Sequence, residues 1–293
     1  MSARLRGMAQ ETERIVAAAS YRTPGGRTVD FAAAVARARA GTRLYGPGPV
    51  AVTGATPGLR TVFEVTAEGS LTAGGRLAAA AGEFGPVAVL NFASARNPGG
   101  GYLKGAQAQE EALCRGSALY ACVRAAPEFY AAHRADPSPF YSDRVILSPG
   151  VPVFRDDRGR LREAPYEAGF LTAAAPNAGV IARQRPDEVG RLPAALAARA
   201  ERVLEAAAQG VRRGAPPTGA VVGPPAGGYR QLVLGAWGCG VFRNEPAQVA
   251  EAFAGLLLPG GRFAGWFTRV VFAVPDRRVD SPNRAAFAAV FPA

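Results

Sequence analysis

Two adjacent carboxylates, Glu110 and Glu111, are the residues of this sequence best suited to acid–base chemistry. They stand near the start of a strong helix-forming stretch, where the helix dipole and free N–H groups favour negative charge. Neighbouring side chains at a helix start point about 100° apart around the axis. One carboxylate can therefore face a reacting bond while the other grips a substrate. The alternative is that both glutamates only cap a surface helix.

Three consecutive glycines, Gly99, Gly100 and Gly101, precede the glutamates and follow the apolar run 86–91. The apolar run is typical of a strand that is buried on both faces. Glycines at a strand end have no side chains to pack, and they allow backbone N–H groups to approach an anion closely. Phosphate is the usual anion of this kind, although a loose structural turn remains the alternative.

A second glycine-rich turn, 235–242, follows another apolar run at 231–235. A Gly-x-Gly pattern after a strand is a weak signal, and a tight structural turn is an equally good interpretation. Two such loops in one open α/β sheet can hold a diphosphate from opposite sides.

Other reaction types find little support in the composition. The only histidine, His133, is expected to be solvated at the end of a helix, which argues against Ser-His-Asp and Cys-His hydrolases. Cys114, Cys122 and Cys239 are odd in number and form no CxxC motif, so neither a disulfide framework nor a zinc site is predicted. Carboxylates are then the groups left for acid–base catalysis, and no metal or other cofactor is expected.

The formal charge of +11 in 293 residues indicates a polyanionic partner or substrate. Lys104 is the only lysine, and the arginine, alanine and glycine content is also typical of a GC-rich genome. The sequence has no dense basic run and no recognisable nucleic-acid motif, so direct nucleic-acid binding is not expected. Signal-peptide and membrane-span patterns are missing from the sequence. We therefore expect a cytoplasmic protein without membrane contact.

Apolar periodicity and turn residues predict alternating helices and strands. This alternation indicates a mixed, mostly parallel sheet that is covered by helices on both faces. The predicted helices are two within 11–41, then 70–80, about 108–130, 192–209, 246–258 and 281–290, and the predicted strands are 50–53, 61–65, 87–92, 145–147, 169–174, 231–235 and 270–274.

The stretch 91–101, with its three glycines, and the Gln-Glu-Glu at 109–111 resemble the signature of poly(ADP-ribose) glycohydrolases, and in particular of their microbial branch. Segments 145–157, 172–177 and 234–246 also resemble this branch. The resemblance implies an α/β/α macrodomain that binds ADP-ribose. It also implies a division into a helical N-terminal extension, residues 1–46, that packs on a macrodomain, residues 47–293.

By this resemblance Glu111 is the general acid that protonates the departing ribose oxygen, and Glu110 holds ribose hydroxyls. Glycosidases usually place two carboxyl groups roughly 5–9 Å apart on opposite sides of the sugar, which adjacent glutamates cannot do easily. Substrate contacts are expected from Asn97 and Phe242 to the ribose, from the glycines 99–101, from the backbone amides of Gly238, Cys239, Gly240, Val241 and Phe242 to the diphosphate, and from Tyr102, Gln109 and Ser70.

Two of these assignments have structural alternatives. Ser70 lies where related folds hold adenine, but a plain helix N-cap explains it better. Phe242 is equally well explained as a core aromatic residue.

The resemblance implies a hydrolase that acts on poly(ADP-ribose) in the DNA damage response, mainly from the polymer end, and we expect a monomer. Two alternatives are a macrodomain that binds ADP-ribose without hydrolysis and a hydrolase of mono-ADP-ribosylated targets. An arginine-rich RNA-binding protein would need a basic face that the sequence does not show.

Overall fold

The computed structural model describes residues 2–52, 59–209, 228–276, 278 and 280–291. Its strands are β1 Ser20–Arg22, β2 Thr28–Asp30, β3 Arg43–Tyr45, β4 Val62–Thr66, β5 Val87–Phe92, β6 Val145–Arg155, β7 Leu161–Ala173, β8 Gln231–Leu234 and β9 Arg269–Ala273. Its α-helices are α1 Ala3–Ala18, α2 Ala32–Gly41, α3 Ser70–Ala79, α4 Ala81–Phe84, α5 Gln109–Gly116, α6 Leu119–Val123, α7 Pro127–Ala135, α8 Ala178–Gln184, α9 Leu192–Ala208, α10 Pro246–Leu257 and α11 Pro282–Val290.

Seven strands form the central sheet, in the order β3-β6-β7-β5-β8-β9-β4. The pairs β3–β6 and β6–β7 are antiparallel, and the four other neighbouring pairs are parallel. Strand β5 lies in the middle of the sheet and is buried along nearly its whole length. The predicted mixed, mostly parallel sheet is confirmed.

Alternate residues of β5 pack into two separate hydrophobic cores, as the two-residue period of a strand requires. Val87 and Val89 join the core that contains residues of α1 to α3 and α5 to α7. Ala88 and Leu90 join the core that contains residues of α9 to α11. The fold therefore has three layers, α/β/α, as expected.

The helix that begins at Gln109 is shorter than predicted. It ends at Gly116, and the segment up to Ala135 continues as the separate helices α6 and α7. Ser117 interrupts the helix because its backbone is extended and forms a bridge with Val153. The prediction of one helix reaching about residue 130 was wrong.

Strand predictions differ from the structure in two places. Residues 50–52 of the predicted strand 50–53 are not in a strand, and Thr53 lies outside the described residues. Strands β6 and β7 are much longer than predicted, because they pair with each other as a long antiparallel ribbon that extends past the predicted segments 145–147 and 169–174.

The N-terminal segment contains the two predicted helices, α1 and α2, with the small hairpin β1–β2 between them. Strand β3 then joins the central sheet through its pairing with β6. The division of the chain at residue 46 stays a prediction. No helix in the described part of the chain is long and apolar enough to cross a membrane.

Helix α3 is capped by a residue from a distant turn. Its N-cap is Gly69, which has no side chain, and the carboxylate of Asp157 accepts hydrogen bonds from the N–H groups of Leu71 at 3.2 Å and Thr72 at 2.7 Å. The Ser70 hydroxyl instead accepts a hydrogen bond from Gln109 at 3.2 Å. The prediction that Ser70 caps the helix was wrong.

We expect Asp157→Ala to lower the free energy of unfolding by about 1 kcal/mol, the usual cost of losing a helix cap. Ser70→Ala should cost less, because it leaves the cap in place. Urea denaturation of both variants measures this difference. Equal losses in the two variants would contradict the assignment of the cap to Asp157.

Candidate active site

The start of α5 is fixed to the end of β5 by the side chain of Gln109. Its Oε1 accepts the N–H of Phe92 at 2.9 Å, and its Nε2 donates to the carbonyl of Leu90 at 2.8 Å and to Ser70. Gln109 therefore binds backbone groups at the strand end that no neighbouring strand satisfies there. This link places the next two residues, Glu110 and Glu111, beside the glycine turn.

Glu110 is only 2% exposed, and donors surround its carboxylate. The N–H of Ser94 donates to Oε2 at 2.7 Å, Asn91 Nδ2 donates to Oε1 at 3.4 Å, and the N–H of Gly99 also faces the carboxylate. Burial nevertheless outweighs these donors and, together with the negative charge of Glu111, raises the pKa of Glu110 to about 8. Glu110 is therefore protonated at neutral pH in the free protein.

Glu111 is 7% exposed and, unlike Glu110, has one carboxylate oxygen that no protein group binds among the described residues. Its Oε1 accepts the N–H of Gly101 at 2.8 Å, while its Oε2 is buried with no hydrogen-bond partner among the described residues. A buried acceptor without a donor is costly. Among the four carboxyl oxygens of Glu110 and Glu111, this oxygen is thus the one with unused capacity to accept a hydrogen bond.

The glycine turn fits closely around both carboxylates. Gly100 has φ = +56°, and a Cβ at this position would lie 2.5 Å from Glu111 Oε1 and 3.1 Å from Glu110 Oε2. Only glycine combines this backbone conformation with this approach. The N–H groups of Gly99 and Gly101 face the glutamates, and that of Gly100 donates to the carbonyl of Asn97. The groups approached by the glycine backbone are therefore the protein's own carboxyl groups.

Helix α1 holds the segment that carries the glutamates. The Tyr102 hydroxyl is buried and lies 3.2 Å from the carbonyl of Ala9 and 3.0 Å from Glu13 Oε1. Thr12 Oγ1 donates to the carbonyl of Arg115 at 2.8 Å, at the other end of α5. Tyr102 therefore lies behind the glycine turn as a structural residue. The sequence analysis missed Thr12 and Glu13, since their partners are about one hundred residues away.

The second glycine-rich turn has a different hydrogen-bond pattern. The N–H groups of Gly238, Gly240, Val241 and Phe242 have no acceptor within the part of the chain that the structure describes, whereas that of Cys239 donates to Ala236. The side chain of Val241 is 82% exposed. This turn therefore presents free donors at the carboxyl end of β8, as an anion site requires.

Phe242 is half-buried and packs on Tyr141, with 5.9 Å between the ring centroids. The Arg96 guanidinium lies on the same Tyr141 ring, 6.0 Å from its centroid, so Tyr141 lies between the two glycine-rich loops. Asn97, next to Arg96, is exposed. Tyr141 has φ = +59°, an uncommon conformation for a residue with a side chain, and no sequence signal marked it.

Ser70 and Gln109 line a cavity of about 410 Å³ between α1, α3 and the start of α5. The structure thus brings Ser70 and Gln109 together. It places them on one side of α5, whereas Glu110, Glu111 and the glycine turn lie on another.

His133 is buried, not solvated as expected, with 2% of its surface exposed. Its Nε2 accepts the N–H of Ser142 at 3.2 Å, and burial, helped by Arg199 and Arg144, lowers its pKa to about 4. It is a packing residue between aromatic rings. Within the described residues no group of three His, Cys, Asp or Glu side chains could hold a metal ion, and independence of metal stays a prediction.

The raised pKa of Glu110 makes the stability of the protein depend on pH. Because the folded state binds this proton more tightly than the unfolded state, its contribution is full below about pH 4.5 and is lost as pH rises towards 8. We expect Glu110→Gln to gain stability relative to the parent protein across this range, by up to about 4 kcal/mol.

Urea denaturation at pH 5, 6.5 and 8 measures the effect. Glu83→Gln, which changes an exposed glutamate, is the control. A constant difference between the Glu110→Gln variant and the parent at all three pH values would contradict the raised pKa.

The chain is similar to known proteins in sequence and in fold. The family model for the catalytic domain of microbial-type PARG, that is poly(ADP-ribose) glycohydrolase, matches residues 9–156. No curated protein matches the chain.

Several solved structures are similar over nearly the whole chain. The crystal structure of PARG from Thermomonospora curvata is 50% identical, covers 99% of this chain and 100% of its own, and has a TM-score of 0.88. The same enzyme bound to the inhibitor ADP-HPD is 49% identical, with 98% and 99% coverage and a TM-score of 0.83. PARG from Deinococcus radiodurans in complex with ADP-ribose is 40% identical, with 88% and 97% coverage and a TM-score of 0.73. The chain therefore belongs to the family of microbial-type poly(ADP-ribose) glycohydrolases.

Proposed function

We propose that this chain hydrolyses the ribose–ribose O-glycosidic bonds of poly(ADP-ribose) and releases ADP-ribose, with Glu111 as the general acid. The observation that carries the assignment is the hydrogen bonding of the two glutamates. Both oxygens of Glu110 and Oε1 of Glu111 accept hydrogen bonds from the protein. Oε2 of Glu111 has no hydrogen-bond partner among the described residues. A group that delivers a proton to a substrate needs one oxygen free to do so.

The diphosphate of ADP-ribose fits the second glycine-rich turn, 238–242. Four N–H groups there have no acceptor within the described ranges, and they would stabilise the negative charge. Phe242, steadied by Tyr141, would pack against the terminal ribose. Asn97 and Glu110 would hold the ribose hydroxyls. The adenosine would then lie towards the cavity lined by Ser70 and Gln109.

The sequence indicated that the N–H groups of glycines 99–101 bind a phosphate, but in this proposal they do not contact the substrate. Since the N–H groups of Gly99, Gly100 and Gly101 all face acceptors within the chain, these glycines would act on the substrate through the carboxylates that they position. Their lack of side chains also leaves room for the ribose beside Glu111.

The proton for the departing ribose oxygen comes from Glu111 in this mechanism. A general acid must carry its proton when the substrate is bound, so the proposed mechanism requires a protonated Glu111 in the complex with polymer, while Glu110 keeps its own proton because burial raises its pKa to about 8. As the glycosidic C–O bond breaks, the departing ribose oxygen takes a proton from Glu111. The bound diphosphate offsets the positive charge on the ribose, water adds to the anomeric carbon, and its proton returns to Glu111.

Further parts of the proposal rest on the sequence and the family resemblance. They are cleavage mainly from the polymer end, a monomeric state, a cytoplasmic location, a role in the DNA damage response, and the lack of direct nucleic-acid binding. None of them is needed for the assignment of the glutamates.

We expect Glu111→Gln to lower turnover of poly(ADP-ribose) by at least about 100-fold while the affinity for ADP-ribose changes little. Glu110→Gln should weaken both, because a group that grips the ribose acts in the ground state and in the transition state. Single-turnover release of ADP-ribose measures the rate, and calorimetry measures the affinity.

Glu83→Gln is the matched control and should behave like the parent protein. Near-parental turnover in Glu111→Gln would contradict the proposed mechanism. Tight binding of ADP-ribose by the parent protein, without any release from polymer, would favour a binding module instead.

A further inference from the structure

Phe242, in the second glycine-rich turn, is held at its backbone by α8 and at its ring by Tyr141. Its carbonyl accepts the N–H of Gly179 at 2.9 Å, which fixes the main chain. Its side chain is half-buried, and Tyr141 is the one aromatic residue within the described ranges whose ring packs on it, with 5.9 Å between the centroids. The direction of the Phe242 ring therefore depends on Tyr141.

This aromatic contact joins the two helical layers of the fold. Tyr141 packs at the edge of the core that contains residues of α1 to α3 and α5 to α7. Phe242 packs at the edge of the core that contains residues of α9 to α11. Since these cores lie on opposite faces of the central sheet, the contact fixes one side of the site relative to the other.

Tyr141 is itself held from several directions. The ring of His133 meets it at 79°, with 5.7 Å between the centroids, and the Arg96 guanidinium lies 6.0 Å from its centroid. The N–H of Tyr141 donates to the carbonyl of Ser138 at 3.2 Å. The next residue, Ser142, donates its N–H to the buried His133 at 3.2 Å. The ring of Tyr141 is thus a firm support.

The backbone of Tyr141 is strained. Its φ of +59° lies in the left-handed region, which glycine and asparagine adopt more readily than tyrosine does. Strained backbone of this kind is concentrated at functional sites, where the surrounding structure holds it in place. A tyrosine in this conformation therefore points to a use for its ring.

We propose that Tyr141 is a positioning residue, which sets the Phe242 ring against the terminal ribose and so directs the anomeric carbon towards Glu111. The inference rests on the proposed function, which places that ribose against Phe242 and beside Glu111. The rate of a reaction depends steeply on the orientation of the reacting bond. The affinity for ADP-ribose depends mainly on the diphosphate in this proposal. Loss of the Tyr141 ring should therefore lower kcat more than it weakens binding.

Tyr141→Asn tests the proposal, because asparagine tolerates the left-handed backbone and removes the ring. We expect kcat for release of ADP-ribose from poly(ADP-ribose) to fall about tenfold, while the affinity for ADP-ribose in calorimetry changes by less than about threefold. Tyr141→Phe keeps the ring and should keep the parental kcat. The control is Phe63→Leu, which changes a half-buried residue that packs on Phe291 outside the two glycine-rich turns and should also keep the parental kcat.

A double-variant cycle separates positioning from a general structural role. If Tyr141 acts through Phe242, adding Tyr141→Asn to a protein that already carries Phe242→Leu should change kcat by less than about twofold. Urea denaturation of each variant checks that folded protein is being measured.

Parental kcat in folded Tyr141→Asn would overturn the proposal. So would a tenfold loss in Tyr141→Phe, or a full further loss when Tyr141→Asn is added to Phe242→Leu. Failure of the proposed function would look different, because the parent protein itself would then release no ADP-ribose from polymer.

Discussion

Burial of two adjacent carboxylates is the constraint on which this structure depends. A buried carboxylate needs hydrogen-bond donors or a proton, and Glu110 and Glu111 obtain both from their surroundings. Backbone N–H groups of Ser94, Gly99 and Gly101 supply the donors, and the raised pKa of Glu110 keeps a proton at the pair. Such an arrangement requires a turn in which the backbone lies against the carboxylates, and that turn requires Gly100.

The surrounding elements follow from this constraint. Hydrogen bonds from the Gln109 side chain connect the start of α5 to the central strand. Helix α1 contacts the glycine turn through Tyr102 and the far end of α5 through Thr12, again by hydrogen bonds. The two loops are both rich in glycine and both follow a buried strand, but their N–H groups bind different partners. The N–H groups of Gly99 and Gly101 face the protein's own acids, whereas most of those in 238–242 have no acceptor among the described residues and are available to a ligand.

The local sequence predicted the elements that depend on neighbouring residues. The apolar run of β5, the glycine turn and the start of the helix at Gln109 all appear where expected. Errors arose where a distant residue decides the outcome. The cap of α3 is Asp157, which is 86 residues from Leu71, and Ser117 ends α5 by pairing with Val153.

Burial was equally hard to predict for single polar residues. His133 was expected in solvent because it ends a helix, yet Phe129 and Tyr141 enclose it. Tyr141 itself could not be identified, since neither its left-handed backbone nor its contact with Phe242 has a local signal. The roles of the candidate site residues stay predictions.

The most direct test of the central claim is the single-turnover rate of Gly100→Ala with poly(ADP-ribose). The added methyl group would lie 2.5 Å from Glu111 Oε1, so the carboxylates must move. A displacement of this kind lowers the rate by at least about 100-fold in our account. Gly255→Ala, where nothing lies within 4 Å of the added atom, should keep the parental rate. A folded Gly100→Ala protein with a near-parental rate would contradict the account.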